Sequence, residues 1–265
     1  MTSRSQRILF WMLVWFSIVI LSVPTIIVLG ASLTSGNMIA FPPDGISFKW
    51  YQRIAMARDL RAAFVRSLSV STICLLVSLP VGTLAGLALG RFRLRFANAI
   101  QIYLLLPFTI PLIGSGIGMM LVFGGWGVLG SLWPVGVALA AINLPFIIWS
   151  VSSSAAALDS DLELAAASCG AGRFETFIHV TLPGVMPGVI TGGLLMFVLA
   201  MTEFLVSLLL TDARTVTLPV QIYNNIRAII TPDLAAISSV FVLIALLAVW
   251  LLDRLVGLEI FLKSK

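Results

Sequence analysis

The segment Glu163–Pro183, ELAAASCGAGRFETFIHVTLP, interrupts a chain that is otherwise largely apolar. Its three alanines at positions 165 to 167 favour a helix, and Gly170 is expected to break that helix. Arg173–Val180 can form a second short helix, which the prolines behind it are expected to end. The pattern therefore predicts a helix-turn-helix that is too polar to cross a bilayer.

The second of these helices has an apolar face made by Phe174, Phe177 and Ile178. Exposed apolar groups ringed by charge usually mark an interface, so the loop, at about residues 159–186, is a candidate docking element. The alternative is an amphipathic loop that packs on its own helix bundle. The chemistry of the residues leaves both interpretations open.

The chain as a whole has the composition of an integral membrane protein. Of its 265 residues, 60% are hydrophobic and 10% are charged, and the mean hydropathy is +1.10. Soluble domains carry about 25% charged residues, and a membrane span needs about 20 apolar residues. We therefore expect several spans in one transmembrane domain over residues 1–265, without a soluble catalytic domain. Because the basic residues lie at span ends, the net charge of +5 indicates contact with membrane lipid and no nucleic acid.

Six apolar runs predict an all-α, polytopic protein, because lipid leaves backbone groups paired only in helices and closed barrels. The third run contains several prolines and glycines and is expected to be kinked or closely packed. The predicted spans are approximately Ile8–Leu29, Phe64–Leu89, Ala97–Phe123, Leu132–Ala157, Pro187–Leu210 and Leu234–Leu252.

Six spans place both termini on one side, and the distribution of basic residues favours the cytoplasm. The basic residues assigned to that side are Arg4, Arg7, Arg91, Arg93, Arg95, Arg173, Arg254, Lys263 and Lys265. Many basic residues of the opposite side lie in one segment, 48–68. This segment is expected to form a helix along the membrane surface, with Trp50, Ile54, Leu60 and Phe64 towards lipid.

The spacing within the loop resembles the cytoplasmic loop of ABC importer permeases. That loop reads Glu-Ala-Ala, three residues, Gly, nine residues, Ile, one residue and Leu-Pro. Here Ala165-Ala166, Gly170, Val180 and Leu182-Pro183 occupy the corresponding positions.

The loop departs from this pattern at two positions. Val180 replaces Ile, which keeps a β-branched side chain, and Leu164 stands where the family has Glu. Glu163 is one position earlier, and a shift of one residue points a side chain in a different direction on a helix. A salt bridge from this position to an ATPase is therefore not implied.

Further segments resemble permeases of the spermidine/putrescine type. The clearest is TLPVQIYNNIRAIITPDLAAIS at 217–238, and FKWYQRI, RSLSVST and GRFRLRF are similar as well. The resemblance implies a type I ABC importer permease fold and transport of a polyamine or a similar small organic cation. Aminophosphonates are an alternative substrate class.

The resemblance also implies that this chain has no catalytic, cofactor-binding or metal-binding residues of its own. ATP and Mg²⁺ would be bound by two ATP-hydrolysing subunits, and no Gly-Lys-Ser/Thr phosphate loop occurs in this sequence. A homologous second permease, forming a hetero- or homodimer, and an extracytoplasmic substrate-binding protein would complete an assembly in the bacterial inner membrane. The implied ATPase-coupling residues are Glu163, Ala165, Ala166, Gly170, Arg173, Phe174, Phe177, Leu182 and Pro183.

Glu203 is the one carboxylate within a predicted span, and acids there usually face a cavity or a partner. We predict that it attracts a substrate ammonium group, with help from Thr202 or Ser207. A structural pair with an arginine, or a protonated and hydrogen-bonded acid, is the alternative. Asn143, beside Pro145, is a weaker candidate for the substrate pathway.

Two other function classes predict different residues within the spans. A stand-alone channel or secondary transporter predicts several buried carboxylates or paired broken helices, and this chain offers one intramembrane acid. An intramembrane enzyme needs a paired catalytic constellation within the spans, whereas the single histidine, His179, lies outside them.

Overall fold

The computed structural model describes residues 4–92, 95–228 and 231–256. These residues form helices joined by turns and one isolated β-bridge between Thr34 and Ile46, which confirms the all-α prediction. Arg93, Lys263 and Lys265, three of the residues assigned to the cytoplasmic side, lie outside the described residues.

Twelve α-helices and one π-helical turn occur in this part of the chain. The helices are α1 Arg4–Ser32, α2 Lys49–Met56, α3 Arg58–Arg91, α4 Ala97–Thr109, α5 Leu112–Gly125, α6 Leu132–Ala157, α7 Ser160–Ser168, α8 Arg173–Thr176, α9 Leu182–Thr202, α10 Leu205–Leu210, α11 Leu218–Ala228 and α12 Pro232–Val256. The π-turn, Phe177–Thr181, joins α8 to α9.

Four helices in the described residues are long and apolar enough to cross a membrane: α1, α3, α6 and the continuous helix Arg173–Thr202. The pair α4 and α5 would make a fifth span. The sixth predicted span lies in α12, whose described apolar stretch, Pro232–Leu247, is shorter than the others. Length and composition therefore give four or five spans among the described residues, and the predicted count of six is not confirmed.

The predicted third span is not one helix. The helix breaks at Ile110 and Pro111, which are both extended, and α4 and α5 meet at an angle of 94°. Proline has no backbone N–H and disfavours the helical conformation in the residue before it. Pro111 therefore explains the break, whereas Pro107 is accommodated inside α4.

The predicted fifth span starts earlier and ends earlier than expected. Pro183 and Pro187, the prolines expected to end the docking helix, lie inside the continuous helix Arg173–Thr202. The wide π-turn comes just before Pro183, and there the N–H of Leu182 donates to the carbonyl of Phe177. At Leu182 the hydrogen-bond pattern of the helix has already shifted by one residue. The helix therefore tolerates Pro183, which has no backbone N–H to donate.

The basic segment 48–68 is not one helix on the membrane surface. It contains α2 and the start of α3, separated by Ala57 in an extended conformation. Trp50 is only 4% exposed, its indole N–H donates to the Thr34 carbonyl at 2.9 Å, and Leu60 is buried. These two side chains therefore pack against protein and do not face lipid.

The chain divides into two compact units, residues 1–61 with 221–246, and residues 62–220 with 247–265. In the first unit the hydroxyl of Tyr51 lies 2.7 Å from the hydroxyls of Ser32 and Ser239. These contacts tie α1, α2 and α12 together.

The second unit is built around α6, whose bounds, Leu132–Ala157, match the predicted fourth span. Two rows of glycines at four-residue spacing face it. A Cβ atom at Gly86 of α3 would lie 2.7 Å from Cβ of Val151, and one at Gly192 of α9 would lie 2.7 Å from Cα of Ile147. The two rows are Gly82, Gly86 and Gly90 of α3, and Gly184, Gly188 and Gly192 of α9.

These glycines let the three helices approach closely, and in a bilayer close approach supplies much of the packing energy. We therefore expect Gly86→Val to destabilise the helix bundle by about 1–3 kcal/mol or more, because its side chain would overlap α6. The matched control is Gly118→Val, since no atom lies within 4 Å of a Cβ at that position of α5. Thermal unfolding of the purified chain in detergent measures the difference, and equal melting temperatures for the two variants would contradict this packing.

Candidate docking site and membrane cleft

The predicted docking loop begins with α7, which is capped at both ends. The Asp159 carboxylate accepts the Asp161 N–H at 2.9 Å. At the other end Gly170 has φ +88°, and its N–H donates to the Ala167 carbonyl at 3.0 Å. The next N–H, of Ala171, donates to the Ala166 carbonyl at 3.1 Å. This pair of bonds is the Schellman motif, which requires a left-handed residue and explains why glycine stands at position 170.

The second part of the loop is the start of a long helix. The Glu175 carboxylate accepts the N–H of Gly172 at 2.9 Å, which helps to begin α8. From Arg173 the backbone continues through the π-turn into α9 and ends at Thr202. No extended residue interrupts the helix between α8 and α9.

The exposed apolar surface of the loop differs from the predicted one. Phe174 is 75% exposed and Ile178 is 39% exposed, but Phe177 is half-buried and packs against the hydrophobic core. Consecutive residues are about 100° apart around a helix axis, so the core can cover Phe177 and leave Ile178 exposed. Leu164 of α7 is also an exposed apolar side chain, at 64%, although sequence reasoning noted it only for the missing glutamate.

The other predicted coupling residues fall into two groups. Ala165, Arg173 and Pro183 are exposed, and Gly170 is exposed at the turn. Ala166 and Leu182 are half-buried, and Leu182 packs against the core.

Glu163 is turned towards its own chain. Its Oε1 atom lies 2.7 Å from Nη2 of Arg91 and accepts the Thr181 hydroxyl at 2.7 Å. Partial burial raises the pKa of this carboxyl, but the Thr181 hydroxyl and the Arg91 guanidinium outweigh burial and hold the pKa below its ordinary value. Glu163 is therefore ionised at neutral pH and paired within the chain.

Glu203 lies at a break between α9 and α10 instead of inside a continuous span. Its two carboxylate oxygens accept the N–H groups of Val206 at 2.8 Å and Ser207 at 3.0 Å, and the Ser207 hydroxyl is 3.2 Å away. The carboxylate thus caps the first turn of α10. Thr202 is exposed, and its hydroxyl donates to the Val198 carbonyl at 3.0 Å.

A cleft of about 430 Å³ opens where α4, α5 and α6 meet. It lies beside the break at Ile110 and Pro111, where the chain bends, and Pro107 and Pro145 are among its lining residues. The residues lining it are Tyr103, Leu104, Leu106, Pro107, Ile110, Ser115, Met119, Ala141, Ile142, Leu144 and Pro145.

The four predicted pathway residues do not line this cleft. Ser207 is buried between helices, and Asn143 is 7% exposed, although its neighbours Ile142 and Leu144 border the cleft. Sequence reasoning missed the polar lining residues Tyr103 and Ser115. The signal for them was the pair of prolines, Pro107 and Pro111, that lies between them in the sequence.

Comparison with known proteins places these features in a family. A family model described as "Binding-protein-dependent transport system inner membrane component" matches residues 78–258. The chain is 26% identical over 229 residues to the "Spermidine/putrescine transport system permease protein PotC" of Escherichia coli strain K12, covering 86% of each chain. It is 31% identical over 202 residues to the "Molybdenum transport system permease protein ModB" of Mycobacterium tuberculosis, covering 70% of this chain and 74% of that one.

A solved structure has a similar fold. It is described as a bacterial ABC transporter involved in the import of the acidic polysaccharide alginate, and the TM-score is 0.70. The match covers 96% of this chain and 99% of that one at 16% sequence identity, so it establishes the fold alone.

The opposite placement of the two phenylalanines in the docking loop gives a direct test. Phe177→Ala removes a ring packed on the core, so we expect the free energy of unfolding to fall by about 2 kcal/mol or more. Phe174→Ala truncates an exposed ring and should change stability by less than about 0.5 kcal/mol. Thermal unfolding of the two variants checks this, and a larger loss for Phe174→Ala would show that the two faces are assigned wrongly.

Proposed function

Since the chain belongs to the family of binding-protein-dependent transport system inner membrane components, it is a permease subunit of an ABC importer, and we propose that it forms half of a translocation pathway for a polyamine or a related small organic cation. The observation that carries the coupling part of this proposal is the continuity of α8 with α9. An exposed apolar surface at the end of a membrane-spanning helix is suited to receive a force from a partner protein.

We assign the knob, which consists of Leu164, Phe174 and Ile178, to contact with an ATP-hydrolysing subunit. Large exposed apolar side chains next to charged ones, here Arg173 and Glu175, are typical of such an interface. When the two ATPase subunits bind ATP and close, they would draw this knob and that of the second permease together. α9 would then carry the movement into the bilayer. This is a switch between two states in which ATP favours one state.

The rest of the assembly follows from this role. A second, homologous permease would supply the other half of the pathway, and a substrate-binding protein would deliver the solute from outside the cell. The docking loop and both termini would then face the cytoplasm of a bacterial cell, as the basic residues near them favour. ATP and Mg²⁺ would be held by the partner subunits, so this chain would contribute coupling and passage without catalysis.

The substrate is the less constrained part of the proposal. PotC is named for spermidine and putrescine, ModB for molybdenum, and the structural neighbour for alginate, so relatives of this fold carry solutes of opposite charge. Two features favour a cation here. Glu203 is a half-exposed carboxylate, and Tyr103, 70% exposed, places an aromatic ring at the cleft, where it can attract an ammonium group.

Reconstitution of the complete importer in proteoliposomes tests the substrate class. We expect ATP-driven uptake of putrescine or spermidine, and Glu203→Gln should reduce this uptake several-fold while the complex still assembles. Ser207→Ala is the matched control, because it removes one hydrogen bond to Glu203 but keeps the charge. Uptake of molybdate or an alginate oligosaccharide without polyamine uptake would reject the cation, and uptake by this chain without ATPase subunits would reject the importer role.

Gly170 provides a test of coupling. Its φ of +88° is strained for any residue with a Cβ atom, so Gly170→Val should distort the turn between α7 and α8. We expect ATP hydrolysis that no longer responds to loaded binding protein. Gly172→Val is the control, because Gly172 has φ −69° and ψ 166°, which valine adopts readily. Normal stimulation in the Gly170→Val complex would separate this turn from coupling.

A further inference from the structure

Arg91, the last residue of α3, lies where α3, the end of α6, α7 and the π-turn come together. Its Nη1 atom donates to the Leu158 carbonyl at 2.9 Å, and its Nη2 atom lies 2.7 Å from Oε1 of Glu163 in α7. The Thr181 hydroxyl of the π-turn donates to the same Glu163 oxygen at 2.7 Å. We call the group Arg91, Leu158, Glu163 and Thr181 the anchor.

The anchor is shielded from solvent although it lies at the end of the helices. The side chain of Arg91 is 18% exposed, that of Glu163 is 31% exposed, and Thr181 is buried. The Arg91–Glu163 contact is an ion pair, and an ion pair that is partly buried is screened less by salt than one in open water. Leu158 caps the C-terminus of α6, where a cation is also favoured by the helix dipole.

Packing alone does not hold α7 in place. None of its nine residues is buried, and its leucines at positions 162 and 164 are exposed. The pair of Glu163 with Arg91 therefore supplies what the apolar side chains of α7 do not, a fixed attachment to the helix bundle.

We propose that Arg91 and Glu163 are positioning residues that fix the docking element to α3, so that a movement of α7 reaches α3 while a movement of α8 reaches α9. The proposal rests on the coupling role proposed above and adds a second route of transmission. In the first route the backbone is continuous, whereas in the second the force crosses an ion pair. Loss of the pair should therefore impair coupling without removing the exposed docking surface.

The test uses the complete importer in proteoliposomes and measures substrate molecules taken up per ATP hydrolysed. Glu163→Gln keeps an oxygen for the Thr181 hydroxyl but removes the charge that faces Arg91. We expect the ratio to fall at least about fivefold, the lower end of ordinary coupling between sites, with the complex still assembled. Exchanging the charges in the double variant Arg91→Glu with Glu163→Arg should recover part of the loss.

Asp161→Asn is the matched control, because Asp161 is an exposed acid of the same helix and its change removes the same charge. It should leave the ratio unchanged. Equal ratios for Glu163→Gln and the unaltered importer, or an equal loss with Asp161→Asn, would overturn the proposal.

A second measurement separates failure of the anchor from failure of the proposed function. Amide hydrogen exchange in α7 should be faster in Glu163→Gln than in Asp161→Asn, whether or not the importer moves a polyamine. If α7 exchanges at the same rate in both variants, the anchor does not hold it and the proposal fails. If the unaltered importer shows no ATP-driven uptake while exchange differs as expected, the proposed function fails and the attachment of α7 stands.

Discussion

The architecture of the second unit depends on how closely α6 is approached by its two neighbours. Lipid tails are as apolar as leucine, so membrane helices gain little from burying apolar area and more from van der Waals contact at short range. The glycine rows of α3 and α9 provide that contact, and both rows face the same central helix. Because Gly90 and Gly184 are at the ends of their rows, the end of α3 and the start of α9 meet near the C-terminus of α6.

The docking element is assembled at this meeting point. The Schellman turn at Gly170 reverses the chain between α7 and α8, and the π-turn carries α8 into α9. Arg91 and Glu163 then attach the outer helix, which has no buried residue of its own, to the end of α3. Close packing inside the bundle thus brings the ends of these helices together, and the polar contacts join α7 to them.

Two breaks interrupt the apolar helices of the predicted spans, one at Pro111 and one at Glu203. At Pro111 the break opens a cleft, because a 94° bend leaves space beside α6 that side chains do not fill. At Glu203 the break leaves the N–H groups of α10 without helical partners, and the carboxylate accepts two of them. Irregular backbone in a membrane is tolerated where it borders a cavity or where its polar groups are hydrogen-bonded by protein. The break at Pro111 meets the first condition, and the break at Glu203 meets the second.

The sequence by itself determined the helical class, the bounds of α6, the turn between α7 and α8 and the need for glycine at position 170, because hydrophobic runs and backbone preferences are local properties. It did not determine that Phe177 and Trp50 point inward, that Pro183 lies within a helix, or that Glu203 caps one. Those outcomes depend on which surfaces meet, and the same residues suit an exposed or a buried position equally well until a neighbour covers them. Only the tertiary structure brought Arg91 and Glu163 together, since an ion pair between residues far apart in the chain forms only where packing places both ends.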